Sequence, residues 1–200
     1  MSSMLVTYST RHGSTAEVAQ AIAEELRGSG VTVDVRPLAE VAGVHAYDAV
    51  LVGGPMIIGW HRQAVRFLVK NEPALGNKPV ALFLTAKALT GMGQETLGET
   101  PVFLDPGLAK PPKNPTKLTF REKEATVGHY LHPVFKKVPT IKPVAAAFFG
   151  GKIDYSTLNP LEWLFVKVII RADGGDSRDW EIIRAWAREV LPLLGVSTGQ

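Results

Sequence analysis

Short apolar runs alternate with stretches whose apolar positions recur every three or four residues, and this alternation organises the first half of the chain. Met4 to Tyr8 reads as a first strand. Behind it Ser14 and Glu17 have capping-box spacing, and Val18, Ile22 and Leu26 follow at helical spacing up to Gly28 and Gly30, which predicts a helix with a marked start and a glycine stop. Val31, Val33 and Val35 alternate with polar residues as a half-buried strand does. Residues 49–52 and 80–84 are instead continuous apolar runs suited to central strands. A helix between those runs turns Val65, Leu68 and Val69 inward. Val144 to Phe149 supplies a fifth strand, and a closing helix from about Trp180 to Leu194 carries Ile183, Trp186, Ala187, Val190, Leu191 and Leu194 on one side. Strands separated by helices in this way predict an α/β fold around a doubly wound, five-stranded parallel sheet.

Between Thr90 and Pro143 the pattern breaks, and eight of the fourteen prolines fall there. That is too long for an ordinary connection between strand and helix. Residues 90–116 read as an irregular insertion and residues 120–137 as a helix weakened by Gly128 and stopped or kinked near Pro133, so the fold carries a long insertion, about 90–137, after the fourth strand. The 200 residues and 46% hydrophobic content suffice for one substantial core, and residues 1–200 are expected to form a single domain.

Composition narrows the chemistry. The chain has no cysteine, which removes disulfides, thiol nucleophiles and thiolate-held metal clusters, so any redox chemistry must come from a borrowed cofactor. Met1 to Met4 has no charged region followed by an apolar stretch, and the expected location is cytoplasmic. Residues 161–170 form the longest nearly apolar run, interrupted by Glu162 and Lys167 and well short of the ~20 residues a spanning helix needs. Its apolar character nearly all round points to burial, with peripheral contact at the inner face of the cell membrane as the other reading.

The net charge of +3 is unevenly spread. Residues 107–142 hold Lys110, Lys113, Lys117, Arg121, Lys123, Lys136, Lys137 and Lys142 against Glu122 and Glu124, a local +6 that leaves the remainder at −3. A solvated surface and a docking surface for carboxylates or lipid headgroups fit this equally. Nucleic acid is not expected, because no stacking-aromatic pattern accompanies the charges.

The most informative stretch is the turn after the first strand: Ser9, Thr10, Arg11, His12, Gly13, Ser14, Thr15. A phosphate at a helix start meets unpaired backbone N–H groups and the positive end of the helix dipole. Four hydroxyls can donate to its oxygens while Gly13 lets the backbone wrap them. A helix cap alone accounts for Ser14 but not for four hydroxyls around a glycine. Neither the Gly-Lys-Ser/Thr of a nucleotide loop nor the three spaced glycines of a dinucleotide fold is present. Gly53 and Gly54 stand where a receiver domain needs an aspartate.

On these residues the first 90 positions resemble the flavodoxins, in which such a turn binds the FMN phosphate and loops after the third and fourth strands bracket the flavin ring. The resemblance implies that Pro55, Met56, Ile57, Ile58, Gly59 and Trp60 form one bracketing loop, and Thr85, Ala86, Lys87 and Ala88 the other. All three segments lie at carboxyl ends of strands, where open α/β sheets gather ligands. Trp60 reads equally as a ring stacked on the flavin or as a cover for the core, and His12 and His61 as groups that tune the flavin or as surface histidines.

The second half resembles a narrower group, the flavodoxin-like, menaquinone-dependent protoporphyrinogen oxidases of bacteria. The matching residues are the turn around Ser9, Phe149 with Gly150 and Gly151, the apolar residues 163–170, and Gly174, Gly175 and Asp176 leading into Asp179, Trp180 and Glu181. Gly150 and Gly151 join the cofactor-binding set on this resemblance. It implies an FMN-dependent oxidoreductase acting on a porphyrinogen, with a quinone or a redox protein as acceptor. The insertion fits the group loosely, being longer and richer in proline. An electron-transfer flavodoxin serving protein partners and a non-catalytic FMN-binding protein are the other two readings. No catalytic side chain is expected, since the flavin itself would carry the hydride chemistry.

Overall fold

The computed structural model describes residues 3–56, 59–91, 95–170 and 174–196. The chain opens with β1 (Ser3–Tyr8), α1 (Ser14–Gly28), β2 (Thr32–Pro37), β3 (Ala49–Pro55), α2 (Arg62–Leu75) and β4 (Val80–Ala86). The insertion contributes β5 (Leu89–Thr90), β6 (Glu95–Leu97), β7 (Thr100–Leu104), β8 (Ala109–Lys110), α3 (Phe120–Glu124) and α4 (Val127–Phe135). The chain returns through β9 (Ala145–Gly150), the small antiparallel pair β10 (Lys152–Ile153) and β11 (Gly175–Asp176) with α5 (Pro160–Leu164) between them, and α6 (Trp180–Val190).

Alternate residues of the strands face two separate apolar layers, as a sheet covered on both sides requires. Leu5, Val50, Val52, Leu82, Leu84 and Phe148 pack with Phe67 and Leu68 of α2 and Leu131 of α4. On the other face Met4, Val6, Leu51, Phe83 and Phe149 pack with Ile22 of α1 and Trp186 of α6. The strand order is β2-β1-β3-β4-β9-β7-β6, parallel throughout except for the antiparallel pairing of β6 with β7. The order reverses between β1 and β3, which opens a crevice at their carboxyl ends.

The sheet therefore has seven strands, not five, and part of the insertion is sheet. Val102 and Leu104 are buried while Pro101 is exposed, and Val102 pairs with Ala146 of β9. A proline at the second position of a short strand near the edge obscures this alternation in the sequence. The expected helix over 120–137 is instead α3 and α4, because Thr119 and Thr126 each cap a new start, and Pro133 lies inside α4 without ending it. In α2 the buried stripe is Ala64, Phe67, Leu68 and Leu75, and Val69 lies one step past it, 45% exposed. α6 stops at Val190 ahead of Pro192, and a 3₁₀ turn keeps Leu194 buried.

Burial is also not the fate of Leu161, Trp163, Leu164 and Val168 in the apolar run. α5 passes into a π-helical turn at Phe165–Ile170, with Leu161 80% and Leu164 52% exposed and the Lys167 ammonium 4.4 Å over the Trp163 ring. Among the described residues no helix is long and apolar enough to cross a membrane.

Candidate functional site

The crevice between β1 and β3 is framed by the turn that sequence singled out. Gly13 has φ +83 and immediately precedes α1, so the helix starts at Ser14 with no side-chain cap and its first N–H groups open toward the turn. The expected capping box does not form: Glu17 turns instead to the Arg178 guanidinium, 2.9 Å away. The Ser9 N–H donates to the Gly53 carbonyl at 3.0 Å, which fastens the turn to the end of β3.

The hydroxyls of the turn divide into two kinds. Thr15 is fully buried and its Oγ1 lies 3.0 Å from Thr85 Oγ1, tying the start of α1 to the end of β4. Ser9 Oγ and Thr10 Oγ1 are buried atoms that find no partner among the described residues, and so are Trp60 Nε1 and His61 Nδ1. Leaving such groups unpaired costs about 1–3 kcal/mol each, so a cluster of them indicates a place built for a polar ligand. The geometry around Gly54 brings two of them together. A Cβ there would stand 2.7 Å from Trp60 Nε1 and 2.8 Å from Ser9 Oγ, so only glycine leaves this cradle open.

Trp60 thus covers the core, 5% exposed in the apolar layer above β3, while its indole N–H reaches the turn. A bridge between Met56 and Trp60 folds the loop back on itself, with Gly59 at φ +73 and the His61 N–H on the Pro55 carbonyl at 3.1 Å. Ile57 and Ile58 lie outside the described residues. Burial, aided by nearby Arg11, holds the His61 imidazole below its ordinary pKa. Arg11 and His12 are exposed at the rim, as is Ala88, and Gly13 and Ser14 are half-buried.

Around β4 and β9 the structure gives the expected residues other neighbours. Ala86 is buried, and Lys87 donates to the Gly175 carbonyl at 3.3 Å and to Ser177 Oγ. Gly150 and Gly151 are buried, their Cα faces against Ser177 and Ala86.

A family model described as a flavodoxin domain matches residues 5–179. The chain belongs to the flavodoxin family. Among curated proteins it is similar to the protoporphyrinogen IX dehydrogenase [quinone] of Escherichia coli K12, 23% identical with 97% of each chain covered. Among solved structures it is similar to oxidised flavodoxin 1 from Bacillus cereus, 9% identical, covering 96% of this chain and 98% of that one with a TM-score of 0.51. A flavodoxin from the domain Archaea gives 11% identity, 97% and 99% coverage and a TM-score of 0.50. As a flavodoxin-domain protein the chain binds FMN. The unpaired Ser9, Thr10 and Trp60 donors and the open cradle at Gly54 fit that group's phosphate.

Three features of this flavodoxin domain escaped sequence reasoning. The first is the Trp60 indole as a polar donor. The others are the buried carboxylate of Asp105 and the guanidinium of Arg178, whose side chain is 2% exposed. A Leu104-Asp105-Pro106-Gly107 strand end carries a turn signature that could have pointed to Asp105; nothing local marks Arg178.

Proposed function

We propose that the protein is an FMN-dependent oxidoreductase that oxidises a porphyrinogen and passes the electrons to a quinone, as a single domain with the FMN phosphate in the turn 9–15. The observation that carries this reading is the likeness to protoporphyrinogen IX dehydrogenase [quinone] along 97% of both chains, insertion included. Bound FMN would supply acceptance of two electrons and their return to an acceptor.

The chain's own residues bind and orient. Ser9 Oγ, Thr10 Oγ1 and Trp60 Nε1 donate to the phosphate together with the first N–H groups of α1, and the Thr15–Thr85 contact keeps that helix start at a fixed distance from β4. Residues 55–56, 59–60 and 85–88 border the ring. A porphyrinogen combines an apolar macrocycle with carboxylates, and Lys110, Lys113 and Lys117, all exposed on the insertion, offer cations to those carboxylates. The exposed Leu161, Trp163, Leu164 and Val168, with Lys167 among them, provide peripheral contact with the bilayer that holds the quinone.

The test is anaerobic turnover of protoporphyrinogen with a menaquinone analogue, followed by porphyrin fluorescence. FMN-loaded protein is expected to form porphyrin in step with quinone reduction. Reduction of the bound flavin by a redox-protein partner, with no porphyrin formed, would instead make it an electron carrier.

A further inference from the structure

The run 174–178 touches three edges of the site that are far apart in sequence. At the end of β9 the Ser177 N–H donates to the Gly151 carbonyl at 3.1 Å, and a Cβ on Gly150 would fall 1.9 Å from the Ser177 carbonyl oxygen, so the two backbones are in direct contact. Behind β4 the Lys87 ammonium donates to Ser177 Oγ and to the Gly175 carbonyl. The third edge is the start of α1, and Arg178 makes that connection.

Arg178 is nearly sequestered from water and fully engaged, as a buried guanidinium must be. Its Nε and Nη2 hold the Asp176 carboxylate at 2.8 and 2.6 Å, Nη1 pairs with Glu17, and the guanidinium lies 4.5 Å over the Trp180 ring. Nη1 also donates to the Ser14 carbonyl at 3.1 Å. A carbonyl in the first turn of a helix already has a donor four residues on. The second, charged donor therefore serves something other than helix formation. The Ser14 carbonyl and the Thr15 N–H belong to one peptide group, and drawing electron density toward the oxygen strengthens the N–H as a donor. That N–H is among those a helix start leaves without an internal partner. The single positive charge of the guanidinium also offsets part of the charge of Glu17 and Asp176, two carboxylates that would otherwise repel an anion at the same helix end more strongly.

We propose that Arg178 is a positioning residue for the FMN phosphate: it locks the first turn of α1 to the ends of β4 and β9 and polarises the Ser14–Thr15 peptide toward an anion in the turn 9–15. The inference rests on the phosphate occupying that turn. Riboflavin, which lacks the phosphate, separates this role from a general structural one.

The experiment measures the affinity of flavin-free protein for FMN and for riboflavin by flavin fluorescence quenching, in the parent, Arg178→Gln, Arg178→Lys and the double variant Ser9→Ala/Thr10→Ala. Arg178→Gln is expected to weaken FMN by about tenfold or more while riboflavin stays within about twofold. Arg178→Lys keeps the charge without the fork and is expected to lower the FMN to riboflavin ratio less. The ³¹P resonance of bound FMN should move in both Arg178 variants. Equal losses for both flavins, or no loss for either, would overturn the inference. Should Arg178→Gln fail to fold, an unchanged ratio and ³¹P resonance in Arg178→Lys overturns it alone. If the Ser9/Thr10 variant keeps full FMN affinity, the phosphate lies elsewhere and both readings fall; if only that variant loses affinity, the Arg178 inference alone fails.

Discussion

Asp105 is 1% exposed, and its carboxylate accepts from the Gly150 N–H at 3.0 Å and the Gly107 N–H at 2.8 Å while its own N–H donates to the Phe148 carbonyl. One side chain thus fixes the end of β7 against the end of β9. Asp105→Ala removes both bonds and strands the buried Gly150 N–H, and should lower stability by about 2 kcal/mol in urea unfolding of flavin-free protein. A change within about 0.5 kcal/mol would show that water satisfies those amides instead. At Gly54 the expected outcome concerns binding: Gly54→Ala drives a methyl into Ser9 Oγ and Trp60 Nε1, and FMN uptake followed by absorbance should fall sharply. Full uptake would move the phosphate away from that cradle. The hydroxyl-rich turn was legible because its composition is local. Which hydroxyls are engaged was not, because the Thr15 partner is 70 positions away and the Ser9 neighbour Trp60 arrives from another loop.

At the scale of elements, helix phases and central strands followed from apolar periodicity, and the errors came where local chemistry competed with it. Ser14 and Glu17 have the spacing of a capping box, yet Arg178 offers Glu17 a charged partner, and Gly13 sets the helix start. A true box forms at Thr119 and Glu122, where Glu122 also accepts from the Lys113 N–H at 2.8 Å and so ties the proline-rich loop of the insertion to α3. These bonds, led by the one from Lys113, push the Glu122 carboxyl from 4.5 down to about 2. A depressed carboxylate contributes order that is complete above its unfolded value and is lost as the pH falls through its folded one. The Lys113 and Thr119 amide proton shifts should therefore hold from neutral pH to about 4.5 and titrate with a midpoint of about 2. A midpoint near 4.5 would mean that the staple is absent in solution. Leu161, Trp163, Leu164 and Val168 depart from the expected burial for a different reason: an apolar segment signals burial only if something covers it, and sequence does not show what lies opposite.

Over the whole molecule, the doubly wound sheet and the position of the crevice were legible because both follow from the alternation of βα units. The seven-stranded width was not, since β7 owes its place to pairing with Ala146 and to Asp105 rather than to its own composition. This changes how the insertion is tested. Removing residues 91–116 would take β6 and β7 out of the sheet, so its role is better probed at the surface. Replacing Lys110, Lys113 and Lys117 with alanine should raise KM for a porphyrinogen severalfold at low salt with kcat little changed, and the effect should shrink as salt screens the charges. A fall in kcat at constant KM would remove the docking role. The account rests most heavily on the phosphate in the turn 9–15, and the measurement that tests it most directly is FMN affinity in Ser9→Ala/Thr10→Ala beside that for riboflavin. Two lost bonds to a charged phosphate predict FMN binding weaker by about a hundredfold or more with riboflavin unchanged. A folded double variant that binds FMN as tightly as the parent would contradict it.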